Sequence, residues 1–285
     1  MLWKNRRESD NIEDQRYSSA SRPGLKLSGG TIVLVLLASL VLGENPLTLL
    51  AMISQSNLTG STTTAPASPQ QKQAQNEQAR FVSVVLATTE DTWNSLLPGV
   101  GAQYQQPKLV LFTDQVNSAC GYNSAASGPF YCPGDQKVYI DLGFFKELSN
   151  LGAPGDFAQA YVVGHEIGHH VQNLLGISDK VHRARNSMSE AQANALSVLL
   201  ELQADCFAGV WAHHANQRQP LLEPGDIEEG LQAAAAIGDD RLLHNAGRQV
   251  SPESFTHGSS QQRVYWLKRG LERGSIADCN TFSKA

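Results

Sequence analysis

Gly164-His165-Glu166-Ile167-Gly168-His169-His170-Val171-Gln172 is the stretch on which the reading of this chain turns. On a helix, two histidines four residues apart stand one turn apart on the same face. Their imidazole nitrogens can then meet a single Zn²⁺, with Glu166 beside the metal to take a proton from an activated water. The preceding run, Phe157 to Val163, is apolar and helix-compatible, and Gly168 keeps the stretch slim for close packing. His170 sits about 100° around the helix from His169 and points away from such a site. The competing reading is a buried helix whose histidines only satisfy hydrogen bonds.

Zinc needs further ligands, and the next helical stretch offers one. Ser189 to Ala215 is rich in alanine, with Leu196, Leu199, Leu200, Phe207 and Trp211 recurring at helical spacing. Within it, Glu201 and Asp205 are again four apart and face the same way. Two acids among leucines and a phenylalanine are costly unless paired or bound to metal. With Glu201 as third ligand the site becomes His₂Glu with an open fourth position, the arrangement of a catalytic zinc. Asp205, one turn on, would accept the ring N–H of His165 and fix its tautomer. The alternative is a solvated helix face carrying two acids.

His-Glu-x-x-His followed on a second helix by Glu-x-x-Ala-Asp resembles the gluzincin-type metallopeptidases. The wider context is similar to the YpfJ-type neutral zinc metallopeptidases. The resemblance is carried by Cys120-Gly121, Gly128 to Pro133, Val138 to Leu142, Gly164 to Gln172, Glu201 to Gly209, and Thr256-His257-Gly258-Ser259-Ser260. It runs from about Arg80 to the C-terminus and takes in the N-terminal apolar segment. It implies a zincin fold and zinc-dependent peptide-bond hydrolysis of a peptide or protein substrate. By likeness to prenyl-protease-like enzymes, which carry a Thr-His segment before a helix, His257 would donate to the oxyanion. An ordinary loop or capping histidine is the alternative. Tyr131 and Tyr139 are lesser candidates for the same task, and His182, His213, His214 and His244 read as structural or solvent-facing.

Residues 79–285 are long enough for one well-buried core. The net charge of −5 is mild, and no basic stripe or phosphate-cradling glycine loop points to nucleic acid. The first residues, 1–28, are polar and charge-mixed and read as a disordered cytoplasmic segment. Thr31 to Leu42 is continuously apolar, and Leu47 to Ile53 extends it. Residues 29–53 therefore read as one transmembrane helix in the lipid bilayer of the inner or plasma membrane, although a cleaved signal peptide has a similar core. Lys4, Arg6, Arg7, Arg16 and Arg22 precede the run, which predicts a cytoplasmic N-terminus and a domain facing outward. Residues 54–78, rich in Ser, Thr, Gln, Ala and Pro, read as a flexible tether.

Four cysteines suit an oxidising compartment. Cys120 and Cys132 bracket a small-residue loop that a bridge would close, and Cys206 with Cys279 would pin the tail to the second ligand helix. A Cys₄ zinc site lacks any Cys-x-x-Cys spacing.

The remaining pattern predicts helices at 78–97, 156–175, 189–216, about 226–245 and 259–273, with strands at Lys108–Thr113 and Lys137–Asp141. This is an α+β arrangement, mainly helical with a small β-sheet. The zincin resemblance places Val138 to Leu142 along the cleft edge, where it would hold an extended peptide by strand addition. The rival function is a membrane-tethered zinc scaffold without activity. A structural zinc normally fills four positions with protein ligands, whereas this sequence supplies three and a base.

Overall fold

The computed structural model describes residues 1–17, 69–124 and 128–283. The described residues are mainly helical with two small sheets. In chain order it forms β1 (Ile12–Asp14), α1 (Pro69–Leu96), β2 (Lys108–Phe112), β3 (Gln115–Ser118), β4 (Gly121–Ser124), β5 (Phe130–Cys132) and β6 (Lys137–Asp141). Then come α2 (Phe144–Asn150), α3 (Asp156–Leu174), α4 (Ile177–Arg185), α5 (Glu190–Arg218), α6 (Asp226–Ala236), α7 (Asp239–Asn245) and α8 (Ser260–Arg273).

The larger sheet has the order β1-β2-β6-β5. β2 pairs in parallel with β6, Leu109 opposite Val138 and Leu111 opposite Ile140, and these four side chains lie in the core. Burial on both faces is what makes such strands read as apolar runs. β5 runs antiparallel to β6 at one edge, with Phe130 opposite Tyr139. β5 covers the second edge of β6 only over Lys137–Tyr139, so the stretch Val138 to Leu142 expected at the cleft edge is paired on that side at its start alone. The terminal strand of the sheet on that side is β5.

α3 is buried along almost its whole length and forms the centre of the helical layer. α5 lies against it, and α8 lies on α5. α5 starts with a capping box, Ser189 accepting from the Gln192 N–H and the Gln192 side chain reaching back; α8 starts the same way at Ser259 and Gln262. Among the described residues α5 alone has the length and apolarity of a membrane span, but it is a core helix, two-thirds buried over its most apolar stretch. The expected helix 226–245 is two, α6 and α7, broken where Gly238 passes against the backbone of Ser260 too closely for any side chain.

Two expectations about the N-terminal part are corrected. Residues 1–17 are not disordered: β1 adds to β2 in parallel, Ile12 opposite Leu109, and Met1 is buried in the core. Residues 69–78 are not tether but the first turns of α1, since proline suits a helix start and glutamine, lysine and alanine sustain it. The apolar run 29–53, together with 18–28 and 54–68, lies outside the described residues. Both disulfides pair as expected, Cys120 with Cys132 and Cys206 with Cys279.

Candidate metal centre

α3 and α5 cross where Gly168 faces Ala204. A methyl group on Gly168 would lie 2.9 Å from the Ala204 carbonyl oxygen and 3.0 Å from its Cα. Only glycine lets the two backbones meet this closely, and the meeting brings Glu201 to the histidines. His165 Nε2 lies 3.1 Å from Glu201 Oε2, and His169 Nε2 lies 3.4 Å from Glu201 Oε1. Donor atoms of these three side chains all fall within 4.8 Å of one another. Ligands at ~2 Å from a tetrahedral zinc would stand ~3.3 Å apart. The spacing, the two neutral-capable imidazoles and the carboxylate therefore fit zinc.

Both imidazoles are held from behind. His165 Nδ1 donates to Asp205 Oδ1 at 2.8 Å. His169 Nδ1 donates to Gln172 Oε1 at 2.9 Å. Each hydrogen bond puts the ring proton on Nδ1 and turns Nε2 toward Glu201, as a ligating histidine requires. Gln172 is itself fixed, its amide donating to the Leu200 carbonyl at 2.6 Å and to Gln203 Oε1 at 3.1 Å. Gln203 in turn donates to the Cys279 carbonyl at 2.9 Å, so the bridge at Cys279 anchors a chain of groups ending at His169.

Asp205 is fully buried and has more partners than the histidine. Arg263 of α8 reaches its two oxygens with Nε and Nη2, both at 2.9 Å, and the Tyr161 hydroxyl donates to Oδ1 at 2.5 Å. Arg263 can reach because Gly209 and Gly270 let α5 and α8 touch backbone to backbone. Burial opposes ionisation of Asp205, but Arg263 and His165 outweigh it and hold the carboxyl down at about 2. Burial also opposes charge on His165, but Asp205 and then Glu201 push it up to about 10. Glu201 is held well below the usual carboxylate range by His169 and His165, against the cost of burial. A divalent cation would take the place of the protons these groups share.

Glu166 is buried, 7% exposed, and burial raises its carboxyl above the ordinary range. A raised carboxylate is the better proton acceptor near neutral pH.

His257 lies on the loop before α8, half exposed. Its Nδ1 is 3.1 Å from Asp239 Oδ1, and Asp239 Oδ2 accepts the backbone N–H groups of Thr256, His257 and Gly258 at 2.7, 2.7 and 3.1 Å. Asp239 raises the imidazole's pKa by this hydrogen bond. Gly258, with φ +95°, takes a left-handed turn against Val198 and Leu202 of α5. Tyr139 bonds Asp135 at 2.8 Å. Tyr131 donates to His170 Nδ1 at 3.0 Å, and His170 donates from Nε2 to the Gln105 carbonyl at 2.6 Å. Burial keeps His170 neutral, down at about 4, and its role is structural.

The structure thus brings His165, His169, Glu201 and Asp205 together as the two i, i+4 spacings anticipated. Tyr161, Gln172, Gln203, Asp239 and Arg263 were missed. For Gln172 a signal existed, since it stands three residues after His169 on one face. Tyr161 is one turn before His165, but its place within the apolar run Phe157 to Val163 masks the role of its hydroxyl.

A family model described as "Putative neutral zinc metallopeptidase" matches residues 1–282. The chain is 50% identical over 295 aligned positions to the uncharacterised protein YpfJ of Escherichia coli K12, covering all of both chains. It is 43% identical over 221 positions, 72% of each chain, to the uncharacterised protein Mb2605 of Mycobacterium bovis. No solved structure matches. The chain belongs to the neutral zinc metallopeptidase family.

Proposed function

We propose that this member of the family is a zinc-dependent peptidase in which His165, His169 and Glu201 hold the metal and Glu166 is the general base. The observation that carries this reading is the convergence of two Nε2 atoms and a carboxylate, each imidazole oriented from behind, beside a buried glutamate. Zinc bound there supplies Lewis acidity, which acidifies water and polarises a carbonyl. Glu166 takes the proton from the attacking water and passes it to the departing amine. Asp205 holds His165 in the tautomer that leaves Nε2 free, and Gln172 does the same for His169. His257, whose Nδ1 faces Asp239 Oδ1, would donate toward the oxygen on which negative charge develops. An extended substrate would lie along the outer edge of β5, whose Tyr131 is tied to α3 through His170.

The chain further acts at a membrane, with residues 29–53 as the apolar element and the domain in an oxidising compartment. Two disulfides support that placement.

Cleavage of a peptide library by zinc-loaded wild type and Glu166→Gln tests the activity. Turnover in the wild type and its loss in Glu166→Gln with zinc retained is the expected outcome. Zinc binding with no cleavage by either protein would leave a zinc scaffold instead.

A further inference from the structure

Between α4, α5 and the C-terminal turn Ala277–Cys279 the fold leaves a cavity of about 620 Å³. Ile177 and Val181 of α4, Leu196 and Phe207 of α5, and Ile276 and Phe282 of the tail give it apolar walls. Its volume is in the range of small-molecule sites. None of His165, Glu166, His169 and Glu201 lines it, so it is separate from the metal centre. The space is not the product of loose packing. Gly176, with φ 68°, turns the chain between α3 and α4. The tail is fixed by the Cys206–Cys279 bridge, by the Thr281 hydroxyl on the Leu199 carbonyl at 2.6 Å, and by Arg269 on the Asp278 carbonyl at 2.7 Å. A tail held in this way cannot sink inward to fill the space, and apolar walls left to water are unfavourable until something covers them.

The walls offer a guest almost no hydrogen bonds. Gln203 is already engaged, its amide donating to the Cys279 carbonyl at 2.9 Å and its Oε1 accepting from Gln172 at 3.1 Å. Asn280 Oδ1 accepts the Phe282 N–H at 3.2 Å. A peptide would bring backbone N–H and carbonyl groups that need partners, whereas a hydrocarbon chain brings none. One lining residue is charged, Lys180, which is exposed and so stands at the mouth. Lys4, Lys137 and Lys268 each pair with a glutamate, but Lys180 pairs with no acid among the described residues. Arg183, three residues on, is exposed as well, and the acid of this helix, Asp179, does not line the cavity. In a chain of net charge −5, an uncompensated cation at the mouth of an apolar cavity favours an anionic head group.

We propose that this cavity binds a long-chain carboxylate, its hydrocarbon between α4, α5 and the tail and its head group on Lys180. Burial of the chain supplies the affinity, and the cation selects the head. The site shares no residue with the metal ligands, so it stands or falls independently of the peptidase reading.

Isothermal titration of the purified full chain with palmitate, kept below the concentration at which it forms micelles, tests this. Saturable binding is expected in the wild type. Lys180→Glu, a change at an exposed position, should weaken it about 3- to 10-fold. Ala184→Trp puts an indole into the cavity that Ala184 lines and should abolish binding. Lys146→Glu, the same charge change at an exposed position of α2, should leave it unaltered. Melting temperature is recorded for each variant; if Ala184→Trp fails to fold, Lys180→Glu decides alone. Hexadecyltrimethylammonium, with the same chain length and the opposite charge, should bind more weakly than palmitate. No binding of palmitate, or binding unchanged in folded Lys180→Glu and Ala184→Trp, would overturn the proposal. Equal affinity for the cationic amphiphile would overturn the assignment of the head group to Lys180. Binding to phosphatidylglycerol vesicles that depends on Lys180, without binding of free palmitate, would overturn the cavity as the site and make this face a membrane contact.

Discussion

Asp205 shows how much a single side chain can settle. It accepts from His165, Arg263 and Tyr161 at once, so it is charged, immobile and aligned before any metal arrives. Its carboxyl, held at about 2, lies below the ordinary 3.8, so its contribution to stability is fully present above pH 3.8 and is lost as pH falls through 2. Asp205→Asn keeps the size but loses the charge that draws the His165 proton, and it should weaken zinc about 10- to 100-fold. A competition titration against a chromophoric chelator measures this, and an unchanged dissociation constant would remove Asp205 from the site. Asp239 makes a parallel case for His257. The hydrogen bond that His257 donates to Asp239 raises the histidine's pKa, so the charged form persists to higher pH and is lost as pH rises through the raised value. If that form donates during turnover, the alkaline limb of kcat/KM should move to lower pH in Asp239→Asn. A pH profile identical to wild type would return His257 to a loop residue.

At the scale of elements, the crossing of α3 and α5 is what makes a ligand set out of two separate spacings. Gly168→Ala would press a methyl group onto the Ala204 backbone and force the helices apart. Overpacking of this kind costs roughly 1–3 kcal/mol, and Glu201, one turn from Ala204, should retreat from the histidines. A melting temperature lowered by several degrees together with weakened zinc binding is expected; a full-strength zinc site in a stable Gly168→Ala would contradict the packing argument. The pattern of helices was legible because α3, α5 and α8 carry apolar residues at helical spacing and α5 and α8 open on capping boxes, and His165, His169, Glu201 and Asp205 because i, i+4 places them on one face. Arg263 was not legible: it is 58 residues from Asp205 in sequence, and the approach that joins them depends on two glycines in different helices. β1 was not legible either. Ile12-Glu13-Asp14 is short and mostly acidic, and it is a strand only because β2 offers a free edge and Lys137 offers Glu13 a partner. β5 was hidden for a similar reason, since a three-residue strand has too little pattern to show which edge it occupies.

At the scale of the whole molecule, the segment at Cys279 is tied to the metal centre. The Cys206–Cys279 bridge closes a loop of 73 residues and should contribute about 4 kcal/mol by the chain-entropy argument. Because the Cys279 carbonyl anchors Gln203 and through it Gln172 and His169, Cys279→Ser should lower zinc affinity as well as stability, which chelator competition on the folded variant would show. An unaltered zinc affinity would mean that the tail stabilises the fold without bearing on the site. The most direct test of the account separates ligand from base. Zinc content and dissociation constant are measured for the purified full chain and for Glu201→Ala and Glu166→Gln. The account predicts one zinc per chain in the wild type and in Glu166→Gln, and severe loss of zinc in Glu201→Ala. Equal zinc occupancy in Glu201→Ala and wild type would contradict it.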